Sequence, residues 1–149
     1  MPIRCEIVDQ DRLVFEGDVD MITVPGVMGE MGILPNHAPL LSTLKMGVLR
    51  VRSQGREELF TVSGGVIEVQ PALVTVLADA AENVMEIDVA RAEAARKRAE
   101  DMLNQITSSQ ADAYMELEAA LKRSNLRLDA VRRFRGQGRS VGISSQKES

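Results

Sequence analysis

The chain reads as an antiparallel β-sandwich followed by a helical hairpin, and three features predict this. Short apolar runs recur from Ile3 to Leu77, Gly and Pro punctuate them at intervals of about 8 to 12 residues, and from Asp88 to Arg135 there is neither Gly nor Pro. About ten short strands are expected over residues 1–86. Two antiparallel helices are expected over 87–135, and a disordered tail rich in Gly, Ser and Gln over 136–149.

The strands follow in order. Ile3, Cys5 and Ile7 alternate with Arg4, Glu6 and Val8, and further runs lie at Leu13 to Phe15, Val19 to Val24, Leu40 to Leu44 and Val48 to Val51. Leu59 to Val62, Val66 to Val69 and Leu73 to Leu77 complete the set. Gly17, Pro25-Gly26, Gly47, Gln54-Gly55, Gly64-Gly65 and Pro71 are the expected breaks. Leu49 and Val51 against Arg50 and Arg52 mark an inner and an outer face. Cys5 is the single cysteine, which excludes an internal disulfide, and its place in an alternating run predicts a small buried hydrophobe.

From Asp88 the pattern changes period. Ala92, Ala95, Ala99, Met102 and Ile106 recur at helical steps, as do Ala113, Leu117, Ala120, Leu121, Ser124, Leu128 and Val131. Asp88 is placed to cap the first helix, and Thr107-Ser108-Ser109-Gln110 offers hydroxyls for a cap and turn between the two. A first seam made mostly of alanine buries little apolar area, so the hairpin's own packing is modest and it is able to open.

Composition narrows the function. The 149 residues are 44% apolar and 27% charged, near the globular average. No run approaches the roughly 18 to 20 apolar residues that a membrane span needs, and the N-terminal residues lack an apolar secretion segment. A soluble, cytoplasmic chain is expected. The net charge is −4, but Met1 to Ile87 carries 13 acids and 6 bases (−7), against 9 acids and 12 bases (+3) in the remainder. That asymmetry suits an anionic partner for the second half, or a solvated helix face.

Two constellations could carry function. Pro25 to Leu40, dense in Gly and Pro, is expected to be a shaped surface loop. Its glycines at 26, 29 and 32 match neither dinucleotide nor phosphate-loop spacing, so a docking surface is the more economical reading. His37 is the only histidine, and alone it completes neither a metal site nor a triad; no catalytic residue and no metal ligand is expected. The second constellation is basic. Arg91 and Arg98 share one helix face, Arg123 and Arg127 another, and a reversal near Ser109 sets Arg91 beside Arg127 and Arg98 near Arg123. Such guanidiniums suit a phosphate group, or pair as solvated charges with Glu93, Glu116 and Glu118.

The residues Gly29-Glu30-Met31-Gly32-Ile33-Leu34-Pro35-Asn36-His37-Ala38-Pro39-Leu40-Leu41, Ser63-Gly64-Gly65-Val66-Ile67-Glu68-Val69-Gln70-Pro71 and Val74-Thr75-Val76-Leu77-Ala78-Asp79, in that order before an Ala-rich hairpin, resemble the epsilon subunits of F-type ATP synthases. The resemblance implies a non-catalytic central-stalk subunit of a rotary proton-translocating machine, peripheral on the cytoplasmic face of a bacterial inner membrane. It implies that the β domain binds the gamma subunit and faces the ring of c subunits, through Glu30, Gly32, His37, Ala38, Pro39 and Leu40. The helices are then able to leave the β domain and extend along gamma toward the alpha and beta subunits, inhibiting ATP hydrolysis. Some bacterial members bind ATP through Ile/Leu-Asp-x-x-Arg-Ala, which Ile87-Asp88-Val89-Ala90-Arg91-Ala92 matches; Glu82, Arg98, Arg123 and Arg127 fall near the spacings such a site uses. No cofactor is required, and ATP is the expected regulatory ligand.

The rivals are the same subunit without ATP binding, and a nucleic-acid-binding module using Arg132 to Arg139. The latter is disfavoured by the net acidity, one tyrosine and no tryptophan. Membrane contact is expected only through the complex.

Overall fold

The computed structural model describes residues 2–107 and 109–135, so the tail expected over 136–149 lies outside the described residues. The chain divides into two units, Met1–Val84 and Met85–Ser149.

In the first unit, the alternating runs form β1 (Ile3–Val8), β2 (Leu13–Val19), β3 (Met21–Gly26), β4 (Gly29–Ile33), β5 (Leu40–Ser53), β6 (Arg56–Val69), β7 (Leu73–Ala78) and β8 (Ala81–Asn83). Their order in the sheet is β2-β1-β7-β6-β5-β3-β4, with β8 also paired to β6. Pairing is antiparallel except between β1 and β7, which run parallel.

The expected ten or so short strands are therefore eight among the described residues, because Gly47 and Gly64-Gly65 lie inside strands and do not end them. Strands β5 and β6 each run 14 residues. Gly64 and Gly65 adopt φ of 110° and 133°, and the β5–β6 ladder steps there from Leu44↔Gly65 to Met46↔Ser63. Glycine lets the backbone change direction while pairing continues on both sides, which makes a bend instead of a turn. The far half of β6 then pairs with β7, and its near half with β8. Ile7, Val76 and Ile67 from one half and Ile22, Leu49 and Val62 from the other are all fully buried in one core. The sheet thus folds over itself as a sandwich. Gly47 has a different use: a Cβ there would stand 2.8 Å from the Pro25 side chain. Pro25 lacks the N–H a ladder needs, and it sits where the β3–β5 register shifts, between Thr23 and Gly26.

Cys5 is fully buried. Desolvation, with the Glu6 charge adding to it, pushes its thiol up to about 12, so it behaves as the small hydrophobe expected.

Asp9 closes the β1–β2 connection. Its Oδ1 accepts the N–H groups of Asp11 at 2.9 Å and Arg12 at 3.0 Å, and its Oδ2 accepts that of Ala81 at 3.3 Å. Desolvation alone would raise its pKa, but these three bonds and the Arg12 charge outweigh it and hold the carboxyl below its ordinary value. A depressed folded-state pKa gives stability that is complete above the unfolded-chain value of about 4 and declines as the pH falls through the lower folded value. Asp9→Ala is expected to cost about 1 to 2 kcal/mol at pH 7 and markedly less at pH 2. Urea unfolding at both pH values checks this, and an equal cost at each would show that the charge is not what stabilises the turn.

The second unit begins where a short 3-10 turn, Val84–Glu86, gives way to α1 (Val89–Gln105) and α2 (Ala111–Ala130), the latter ending in a π turn, Val131–Arg135. Asp88 is the N-cap of α1, its Oδ1 accepting the Arg91 N–H at 3.0 Å. The alanine seam forms along most of its length: Ala92, Ala99, Ser124 and Ala130 are buried and Ala95, Leu117, Ala120, Leu121 and Leu128 half-buried, whereas Met102 and Ala113, expected on the same period, are exposed near the turn. Near the turn the helices leave a groove of about 800 Å³ lined by Met102, Ile106, Ala113, Leu117 and Ala120 among others. The hydroxyl cap expected for α2 is not made. Gln110 occupies the N-cap position without a side-chain cap bond, and the Thr107 and Ser109 hydroxyls bond each other at 2.8 Å. The cause is that the Gln110 side chain folds back, its Oε1 accepting the Thr107 N–H at 3.3 Å.

Candidate functional site

The Pro25 to Leu40 segment, expected to be one loop, is mostly a hairpin: β3 continues to Gly26, β4 spans Gly29–Ile33, and only 34–39 connects irregularly. Its Gly content reflects the tight reversal at Val27 and Met28, where Gly29 takes φ 128°. Glu30 and Gly32 are exposed on β4, an edge strand, paired with Pro25 and Thr23. Glu30 also lines a cleft of about 160 Å³ with Arg50, Arg52 and Glu57. His37 closes a turn, its N–H bonding the Leu34 carbonyl at 3.2 Å, and its Nδ1–H donates to the Ala38 carbonyl at 2.7 Å. That carbonyl has no proton to give, so the proton sits on Nδ1. Ala38 is exposed, and Pro39 and Leu40 edge an open groove of about 450 Å³ with Leu41, Glu68, Val69 and Gln70. The Val27 N–H reaches the Thr43 carbonyl at 3.2 Å, which ties the hairpin tip to β5.

Residues that sequence reasoning passed over stand around this end. Met28 is 97% exposed and Leu41 70%. More telling is a row across four strands. Val66 pairs with Leu77, Leu77 with Val8 and Val8 with Leu13; Leu13 and Leu77 are 51% exposed and Val66 36%. The signal was present in the sequence as adjacent apolar pairs: Ile7-Val8, Val66-Ile67 and Val76-Leu77 cannot both face one core, because neighbouring side chains on a strand point to opposite faces.

At the root of the helices, the structure gives most of the Ile87 to Ala92 motif a local role. Ile87 and Ala92 are buried at the positions flanking the cap that staple a helix start, Asp88 caps, and Arg91 is exposed. Arg98 and Arg123 are exposed and Arg127 is half-buried. Arg123 lines the groove near the turn, whereas the groove of about 230 Å³ nearer the root is lined by Glu93, Arg96, Asn125, Asp129 and Arg132. Glu82 lies in β8 of the first unit, paired with Thr61.

The family model for the β-sandwich domain of the ATP synthase delta/epsilon chain matches residues 2–84, and that for its long α-helix domain matches residues 85–132. The chain belongs to the ATP synthase delta/epsilon chain family. Among curated relatives, the ATP synthase epsilon chain of Pelotomaculum thermopropionicum is 53% identical over 100 residues, covering 67% of this chain and 75% of its own. The ATP synthase epsilon chain of Halalkalibacterium halodurans is 44% identical over 131 residues, covering 88% and 98%. A chain in the cryo-EM structure of the Euglena gracilis mitochondrial ATP synthase, comprising OSCP, F1 and the c-ring in rotational state 1, is similar with a TM-score of 0.66 at 25% identity, covering 80% of this chain and 75% of that one. These findings confirm the resemblance to epsilon subunits and put the chain in the central stalk of an ATP synthase. Among the described residues, no helix is long and apolar enough to cross a membrane.

Proposed function

We propose that this stalk subunit is a non-catalytic regulator: its β domain docks on the gamma subunit and the c-subunit ring, and its hairpin opens along gamma toward the alpha and beta subunits to slow ATP hydrolysis. It works on the cytoplasmic face of a bacterial inner membrane, held there by the complex. The observation that carries docking is the apolar row Leu13–Val8–Leu77–Val66, half-buried at Val8 and exposed at the other three, since a contiguous apolar strip on a sheet's outer face marks a surface that a partner covers. The end bearing Glu30, Gly32 and His37 to Leu40 is assigned to the ring.

ATP is the proposed ligand of the closed hairpin, recognised through Arg91 beside the capped helix start, with Arg98, Arg123 and Arg127 supplying further charge. A ligand that binds only the closed form favours it by RT ln(1 + [L]/Kd), about 2.7 kcal/mol at a hundredfold excess over Kd. One observation favours a second reading without nucleotide. Capping by Asp88 and burial of Ile87 and Ala92 account for those motif residues by themselves.

Add-back and dialysis test both halves. An F1 preparation stripped of this chain is expected to take it up and to hydrolyse ATP more slowly; uptake with unchanged hydrolysis would remove the inhibitory role. Equilibrium dialysis of the isolated full-length chain is expected to show saturable ATP binding at millimolar concentration, weakened about tenfold or more in Arg91→Ala. Binding that is absent, or indifferent to Arg91→Ala, selects the second reading.

A further inference from the structure

The Arg135 side chain ties the end of α2 to the root of α1. In the π turn, Arg135 Nη2 donates to the Met85 carbonyl at 2.8 Å and to the Ile87 carbonyl at 2.7 Å. Both acceptors lie in the few residues that lead into α1. The first acceptor of the α1 ladder is the Asp88 carbonyl, which takes the Ala92 N–H at 3.0 Å, so the Ile87 carbonyl stands outside that ladder and is open to a donor from elsewhere. One nitrogen with two N–H groups meets this need at two carbonyls at once, and a charged donor makes the stronger kind of hydrogen bond.

The neighbouring arginines are engaged differently. Arg132 approaches the Asp129 carboxylate at 3.9 Å, and the Arg133 guanidinium lies 5.5 Å from the centre of the Phe134 ring. Arg135 is thus not one of three equivalent charges. The seam it reinforces is weak, because Ala92, Ala99 and Ala130 bury little area. The two carbonyl bonds add to that thin packing at the α2 end.

We infer that Arg135 is the latch of the hairpin. It closes the unit by fastening the last turn of α2 to Met85 and Ile87, and α2 cannot swing away from α1 until both bonds break. This rests on the reading of the hairpin as an element that opens.

Hydrogen exchange on the full-length chain tests it. In R135Q, amides in the last two turns of α2 and at the start of α1 are expected to exchange about tenfold faster than in the parent chain. R132Q removes the same charge from the same turn and is expected to change them less than about twofold. Amides of β6 serve as the folded reference, and R135K, which keeps the charge without the planar fork, supplies a second variant with a smaller increase at the same amides. A local increase in either Arg135 variant, absent in R132Q, supports the latch; its absence from both, or an equal increase in R132Q, overturns it. The same variants added to stripped F1 separate the two ideas: faster local exchange with unaltered inhibition upholds the latch and rejects hairpin opening as the inhibitory step.

Discussion

Gly65→Ala is expected to destabilise the β domain by about 4 kcal/mol, a third or more of what a domain of this size typically possesses. The methyl would stand 2.2 Å from the Leu77 carbonyl oxygen and 2.7 Å from the Ala78 Cα, and both are backbone atoms of β7, the strand paired to Gly65. No rotamer relieves such a contact. Either β6 and β7 part at the bend or the bend itself straightens, and each option strips pairing from both halves of the sandwich. The φ of 133° adds strain, roughly 1 to 2 kcal/mol for a residue with a Cβ, to an overpacking cost of about 1 to 3 kcal/mol. Gly17→Ala is the control: its methyl would meet only the Phe15 ring, at 3.3 Å, a half-buried side chain edge-on to Phe60 that need shift by only a few tenths of an ångström, so a change of about 1 kcal/mol is expected. Urea unfolding of the three full-length chains decides it. Equal midpoints for Gly65→Ala and the parent would mean that β6 and β7 do not approach as described.

That bend also shows what was legible in the sequence and what was not. Alternation exposed the inner face of nearly every strand, and the loss of Gly and Pro after Asp88 exposed the helices. A Gly-Gly pair inside a strand has the same composition as a turn, however, and only the ladder on either side reveals that Gly64 and Gly65 bend β6 without ending it. Pro25 misled for the same reason, since a bulge in β3 makes room for it. At the candidate site, the capping role of Asp88 could be read from its place before an apolar period. The Arg135 contact could not: its acceptors are backbone carbonyls about fifty positions away, and a carbonyl has no residue type. The apolar row was half legible. Doublets such as Val76-Leu77 announce a two-faced strand, but the register that lines Leu77 up with Val66 and Val8 is a property of the folded sheet.

Leu77→Asp is expected to remove the chain from the stalk while leaving it folded. Leu77 points outward at 51% exposure, with Val76 and Ala78 on the buried side of β7, so a carboxylate at position 77 stays in water in the free chain and stability should change by less than about 1 kcal/mol. Docking reverses that balance. Covering the row would strip water from an unpaired carboxylate flanked by Val66 and Val8, a cost of several kcal/mol, and would forfeit about 1.5 kcal/mol or more of leucine burial. Together these amount to about 4 kcal/mol, a thousandfold loss of affinity. Leu77→Ala forfeits only the burial and should weaken uptake about tenfold. Titration of each variant into stripped F1, followed by sedimentation, gives the three affinities, and urea unfolding verifies that each chain is folded. Retention of folded Leu77→Asp within about threefold of the parent would mean that this face stays wet in the assembled stalk, and the docking surface would have to lie at the end bearing Met28, Pro39 and Leu41 instead.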